Sequence, residues 1–157
     1  MNIRLEDTQP EDPLLFELYA LTRADEVAAW GWGKEEQQAF LTMQFRFQQQ
    51  SYRMQYPEHR IQIVIADGQR TGKWLTAIHG NEKVLVDIAI LPAQCNKGIG
   101  TALIRQLQEE ARLAGLPLRL SVRSDNPARR LYTRLGFETV SEDELHVRMR
   151  WTSLIDG

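Results

Sequence analysis

The chain is poor in the features that settle a protein's class at a glance. It has one cysteine, Cys95, so an internal disulfide is excluded and a reducing compartment is the default. No run of 18 apolar residues occurs, and no basic segment followed by an apolar one opens the chain, so neither membrane spanning nor export is expected and a cytoplasmic protein is. The charge is nearly balanced, at −2, which argues against a general nucleic-acid binder.

What is present is a length of 157 residues with 43% hydrophobic content, enough for one domain over 1–157 with a real core and no linker. The charge is unevenly distributed. Between Gln94 and Arg134 the bases Lys97, Arg105, Arg112, Arg119, Arg123, Arg129, Arg130 and Arg134 face only Glu109, Glu110 and Asp125, a local +5. From Met1 to Phe45 nine acids face three bases, a local −6. One block suits a polyanion and the other a cation, if the blocks also form patches in space.

The most informative stretch runs from Leu91 to Leu103, where an apolar strand enters a glycine loop that opens a helix. Such a junction aims free N–H groups and a helix dipole at one point, a seat for a phosphate. It is not a Walker loop, because Lys97 precedes the glycines, and no Lys-Ser/Thr pair closes a longer frame. A dinucleotide fingerprint would place a third glycine where Leu103 stands. A kinase glycine loop joins two strands, whereas the residues after Gly100 are helical in spacing. A pyrophosphate loop of another kind remains.

The rest of the chain supplies a framework for it. A short strand over 2–6 precedes a helix from about Pro13 to Ala24, and Trp30-Gly-Trp-Gly33 then breaks the pattern as either a hydrophobic plug or a ligand wall. A second helix spans 35–54, with Phe40, Met43, Phe47 and Met54 in one stripe and Leu41, Phe45 and Tyr52 in another. Gln44 and Gln48 fall between the stripes, where they are satisfied internally or border a cleft. Strands over 61–66, 74–78 and 84–91 form a meander, the last delivering the loop. A helix to Gly115 and a strand over 116–122 complete a parallel strand-helix-strand crossover, with the loop at the strand's carboxyl end. A helix over 126–135, capped by Asn126 before Pro127, leads into two closing strands over 137–140 and 145–151.

Two local patterns in this order resemble the GNAT superfamily of N-acetyltransferases: Ile88-Ala-Ile90 with Pro92 and Cys95-Asn-Lys-Gly-Ile-Gly100, then Asn126-Pro-Ala-Arg-Arg-Leu-Tyr132 with Leu135-Gly-Phe137. The resemblance implies an α/β (α+β) domain with a mixed, mostly antiparallel sheet of about seven strands, about four helices and one parallel crossover. It also implies acetyl coenzyme A as co-substrate, with no metal. The loop departs from the family where Cys95 stands in place of the usual Arg or Gln and Asn96 in place of a common glycine, while Lys97, Gly98, Ile99, Gly100 and Thr101 match.

By this resemblance Ile88, Ala89 and Ile90 meet the pantetheine arm, residues 95–101 cradle the diphosphate, and Asn126 and Arg129 meet the cofactor farther along. Ile90 offers its N–H to the thioester oxygen, and Tyr132, near the sulfur, acts as general acid. Asn126 could equally be only a cap, and Tyr132 only a core aromatic. For the base or amine contact the candidates are Asp87, Glu82, His79 or a chain of waters. Asp87 is favoured because it interrupts an apolar strand on the face opposite Ile88 and Ile90. Trp30, Trp32, Gln44 and Gln48 are candidates for contact with an amphipathic amine acceptor, and the spare stripe of the second helix leaves room for a homodimer. The competing function is a coenzyme-A-binding sensor or interaction module without chemistry.

Overall fold

The computed structural model describes residues 1–153. Among these residues seven strands form one sheet: β1 (Ile3–Asp7), β2 (His59–Ala66), β3 (Gln69–His79), β4 (Glu82–Ile90), β5 (Leu118–Arg123), β6 (Glu138–Glu142) and β7 (His146–Trp151). Their order is β1-β2-β3-β4-β5-β7-β6, and every neighbouring pair is antiparallel except β4 and β5. Four α-helices accompany the sheet: α1 (Pro13–Ala28), α2 (Lys34–Gln55), α3 (Ile99–Ala114) and α4 (Ala128–Arg134). The expected strand and helix numbers and the single parallel crossover are therefore present.

Alternation along the strands builds a core on each face of the sheet. One core joins Ile99, Leu103, Ile104 and Leu107 of α3 and Tyr132 of α4 to Trp74, Leu85, Leu118, Leu120 and Met149. The other joins Leu14, Leu15 and Leu18 of α1 and Leu41 and Phe45 of α2 to Ile63 and Ile65, with Ala89 and Leu91 packed against it. Among the described residues no helix is long and apolar enough to cross a membrane.

Several features differ from the sequence reading. The first helix continues to Ala28 because Val27, wholly buried, adds one more turn of core contact. The third strand is eleven residues long, since polar Gln69 and Arg70 pair with Ala66 and Ile65 through the backbone, which an apolar pattern does not reveal. The second helix buries one stripe only: Leu41 and Phe45 face the sheet, while Met43, Phe47 and Met54 are 46%, 58% and 75% exposed. Half of the positive block is paired, since Arg112, Arg119, Arg123 and Arg129 each meet an acid.

Candidate active site

The site begins where two strands part. Strands β4 and β5 are paired only at Lys83/Leu118, Val84/Arg119 and Leu85/Leu120; beyond Leu85, β4 runs on to Ile90 while β5 follows β7. Among the described residues, the β4 edge that faces β5 is thus without a partner strand from Val86 onward. Which groups lie on that edge follows from the other side of the strand. Leu91 N–H donates to the Thr71 carbonyl at 2.7 Å, and stepping back by two along the register gives Lys73/Ala89 and Leu75/Asp87 as the bonded pairs with β3. Ile88 and Ile90, in the alternate pairs, turn their N–H and C=O groups to the open edge.

A bulge sets the faces. Leu75 opposes Asp87 but Thr76 opposes Leu85, so Val86 is an extra residue in β4. Leu85, Ile88 and Ile90 therefore face α3, while Asp87 and Ala89 face α1 and α2.

After Ile90 the chain makes a 3-10 turn over Pro92–Gln94 and enters the loop. Asn96 and Gly98 are both left-handed, at φ 62° and 79°, and the first bond of α3 runs from Ala102 N–H to the Gly98 carbonyl at 3.1 Å. The N–H groups of Ile99, Gly100 and Thr101 precede any helical acceptor, and no described side chain caps them. Left-handed and right-handed residues in succession turn such N–H groups inward, into a concavity for an anion. The Cys95 thiol donates to the Ile90 carbonyl at 3.6 Å, leaving that residue's N–H as the free group on the open edge. Lys97 stays exposed, its ammonium 3.4 Å from Gln94 Oε1.

An acetyltransferase (GNAT) domain model matches residues 57–139, more than half of the chain and the whole of this strand-loop-helix unit. The chain belongs to the GNAT acetyltransferase family. No curated protein matches it in sequence. Among solved structures, PaiA N-acetyltransferase from Thermoplasma acidophilum, in complex with coenzyme A, is 19% identical, with 98% of this chain and 100% of that one covered at a TM-score of 0.69. An acetyltransferase from Thermus thermophilus gives 18%, 96% and 97% coverage, and 0.68. The ribosomal-protein-S18-alanine N-acetyltransferase from Escherichia coli gives 18%, 95% and 92%, and 0.60. At these identities the likeness is one of fold.

In this GNAT domain α4 follows β5, the other strand of the splay. Asn126 Oδ1 accepts from Ala128 N–H at 2.9 Å, the capping arrangement, although the helix proper starts two residues later than the sequence suggests. Arg129 is held by Glu142 of β6 at 3.2 Å. Tyr132 is buried against Phe137, ring centroids 5.8 Å apart. Burial, and secondarily the negative charge of Asp87, pushes its hydroxyl up to about 12. It therefore keeps its proton at neutral pH.

The α1/α2 side of this GNAT domain holds groups that the sequence reading missed. Asp87, half-buried, forms an ion pair with Lys73 at 2.8 Å. The Tyr52 hydroxyl is also pushed up, by burial first and then by Asp87, so that the carboxylate influences phenols on α2 and α4 alike. Tyr52 shares with Gln48, Gln49, Phe45 and Lys73 the lining of a cavity of about 40 Å³. Gln44, half-buried, does not line it. Trp30 and Trp32 pack on each other and on Phe40 at centroid distances of 5.1 to 5.6 Å, which leaves no slot between the rings, and each is 41% exposed. Glu82 and His79 sit opposite one another at the start of β4, where Arg119 and Arg150 engage Glu82. Eight steps along the strand, about 26 Å, separate Glu82 from Ile90.

Proposed function

We propose that this acetyltransferase moves an acetyl group from acetyl coenzyme A to a primary amine of a small molecule, peptide or protein, by direct attack, within one catalytic domain. The observation that carries the reading is the open β4 edge beside the uncapped start of α3. The first suits the amides of a pantetheine arm, which adds like a strand, and the second suits a diphosphate. Acetyl coenzyme A supplies the acetyl group already activated as a thioester. Ile88 and Ile90 hold the arm, and the Ile90 N–H donates to the carbonyl oxygen as negative charge grows there. Residues 95–101 hold the diphosphate, with Asn126 and Arg129 farther along. Asp87 meets the acceptor's ammonium and draws its proton, and Tyr132 presents its hydroxyl to the departing sulfur. Gln48 borders the acceptor side beside Tyr52, and Trp30 and Trp32 supply exposed aromatic surface from the loop before α2.

The direct test is release of free thiol from acetyl coenzyme A in the presence of polyamines, amino acids, aminoglycosides and peptides. Amine-dependent release is expected from at least one class. Tight coenzyme A binding with no release from any class would replace the enzyme by a sensor or interaction module. The loop has its own prediction. A Cβ at Gly98 meets nothing within 4 Å, so Gly98→Ala leaves the packing intact, but at φ +79° it costs about 1 kcal/mol and turns the neighbouring N–H groups. Calorimetry is expected to register coenzyme A affinity reduced by about tenfold with the melting temperature lowered only slightly. Unchanged affinity would remove the diphosphate from this loop.

A further inference from the structure

Lys73 is the one charged residue among the described residues that is buried as a whole, at 8% exposed, in a run from Thr71 to Ala77 that is buried throughout. An ammonium in such a place must be paired. Its partner is Asp87 on the next strand, where Lys73 stands opposite Ala89 and Asp87 opposite Leu75, making the two diagonal neighbours on the α1/α2 face. The bulge at Val86 brings Asp87 to that face, so the pair depends on an irregularity in β4 next to the splay. Lys73 takes Oδ2 of the carboxylate at 2.8 Å, and no described residue hydrogen-bonds Oδ1.

We propose that Lys73 is a positioning residue: it holds Asp87 by one oxygen, keeps the other free for the acceptor's ammonium, and so governs use of the acceptor without taking part in cofactor binding. This rests on the reading of Asp87 as the amine contact. The Lys73 stem reaches the carboxylate across the sheet face that Tyr52 and Gln48 also border, whereas the groups proposed to hold the pantetheine arm are main-chain groups on the β5-facing edge of β4. A buried cation that fixes a half-buried carboxylate limits its rotamers, and near-attack geometry is sensitive to displacements of about 1 Å.

The experiment is steady-state kinetics with acetyl coenzyme A and the fastest acceptor of the panel above, on Lys73→Met, Lys73→Arg, Asp87→Asn and the double variant Lys73→Met with Asp87→Asn. Lys73→Met is expected to lower kcat/KM for the acceptor by about 30-fold, with KM for acetyl coenzyme A within about twofold. Lys73→Arg, which keeps the charge and a donor, is expected to recover most of that loss. The double variant leaves no orphaned charge and tests the idea even where Lys73→Met folds poorly; it should be no slower than Asp87→Asn alone, since both changes remove one device. Losses that multiply in the double variant, a Lys73→Met enzyme within about threefold of wild type, or equal losses for both substrates would overturn the assignment. Wild-type protein that turns over no amine overturns the functional reading and this inference with it. Wild-type turnover that Asp87→Asn leaves intact removes Asp87 from the amine step and the role of Lys73 with it, while acetyl transfer itself stands.

Discussion

Gly72→Ala is expected to lower stability and cofactor affinity together. A Cβ at Gly72 would stand 2.4 Å from the Ala89 carbonyl oxygen, 2.7 Å from Ile90 Cδ1 and 3.2 Å from Ile90 Cα. The first and last of these are backbone, so no side-chain rotation relieves them. Gly72 and Ile90 are opposed in an alternate pair that exchanges no bonds, where antiparallel strands approach most closely. Overpacking of this kind costs about 3 kcal/mol, less roughly 0.7 kcal/mol regained because alanine stiffens the unfolded chain. A net loss of about 2 kcal/mol corresponds to a melting temperature lower by about 6 °C for a chain of this size.

The functional part of the Gly72 prediction follows from where β4 must go. Relief of the clash moves Ala89 and Ile90 away from β3, toward the splay that the pantetheine arm is proposed to enter. The Ile90 N–H is then misplaced by about 1 Å, enough to cost on the order of 100-fold in turnover. Urea unfolding, coenzyme A titration and steady-state turnover on the same preparation would test the stability, the affinity and the rate. Normal affinity in a destabilised Gly72→Ala protein would show that β4 yields elsewhere and that its edge is not held by this glycine.

The contrast between Gly72 and Gly98 shows what a sequence can disclose. Gly98 and Gly115 bracket α3 in a row of helically spaced apolar residues, and the helix lies where they place it, from Ile99 to Ala114. That order of strand, loop and helix was legible because every signal is local. Asp87 was also legible as the odd residue of an apolar strand, and alternation put it on the correct face relative to Ile88 and Ile90. Its partner was not, since Lys73 lies across a strand register and just outside the segment that apolar spacing assigns to β3. Nothing local marks Val86 as a bulge or Gly72 as a close approach. The two stripes of α2 were read correctly as stripes, but which one meets the sheet depends on α1 and β2, which meet α2 only in the fold.

Tyr132→Phe is expected to lower kcat by about 100-fold while the coenzyme A dissociation constant changes by less than about twofold. The size follows from proton affinities. With its hydroxyl pushed up to about 12, Tyr132 is a weaker acid than a free thiol at about 8.5, so full transfer of its proton to the departing sulfur is uphill by roughly 5 kcal/mol. The phenol therefore contributes mainly a hydrogen bond to sulfur as charge develops, which places the effect near the lower end of the range for acid catalysis. The ring stays buried against Phe137, so phenylalanine keeps the packing. The same shift fixes a second readout. Between about pH 10 and pH 12 an unfolded tyrosine ionises while the folded one keeps its proton, so the native state binds more protons and stability falls as pH rises. Tyr52 contributes in the same direction in both proteins, so the difference between wild type and Tyr132→Phe isolates Tyr132. The variant should lose less stability across that window than wild type. Equal alkaline slopes would show that the phenol is not held neutral by burial, and an equal loss of turnover and coenzyme A affinity would assign Tyr132 to binding rather than to the step at sulfur.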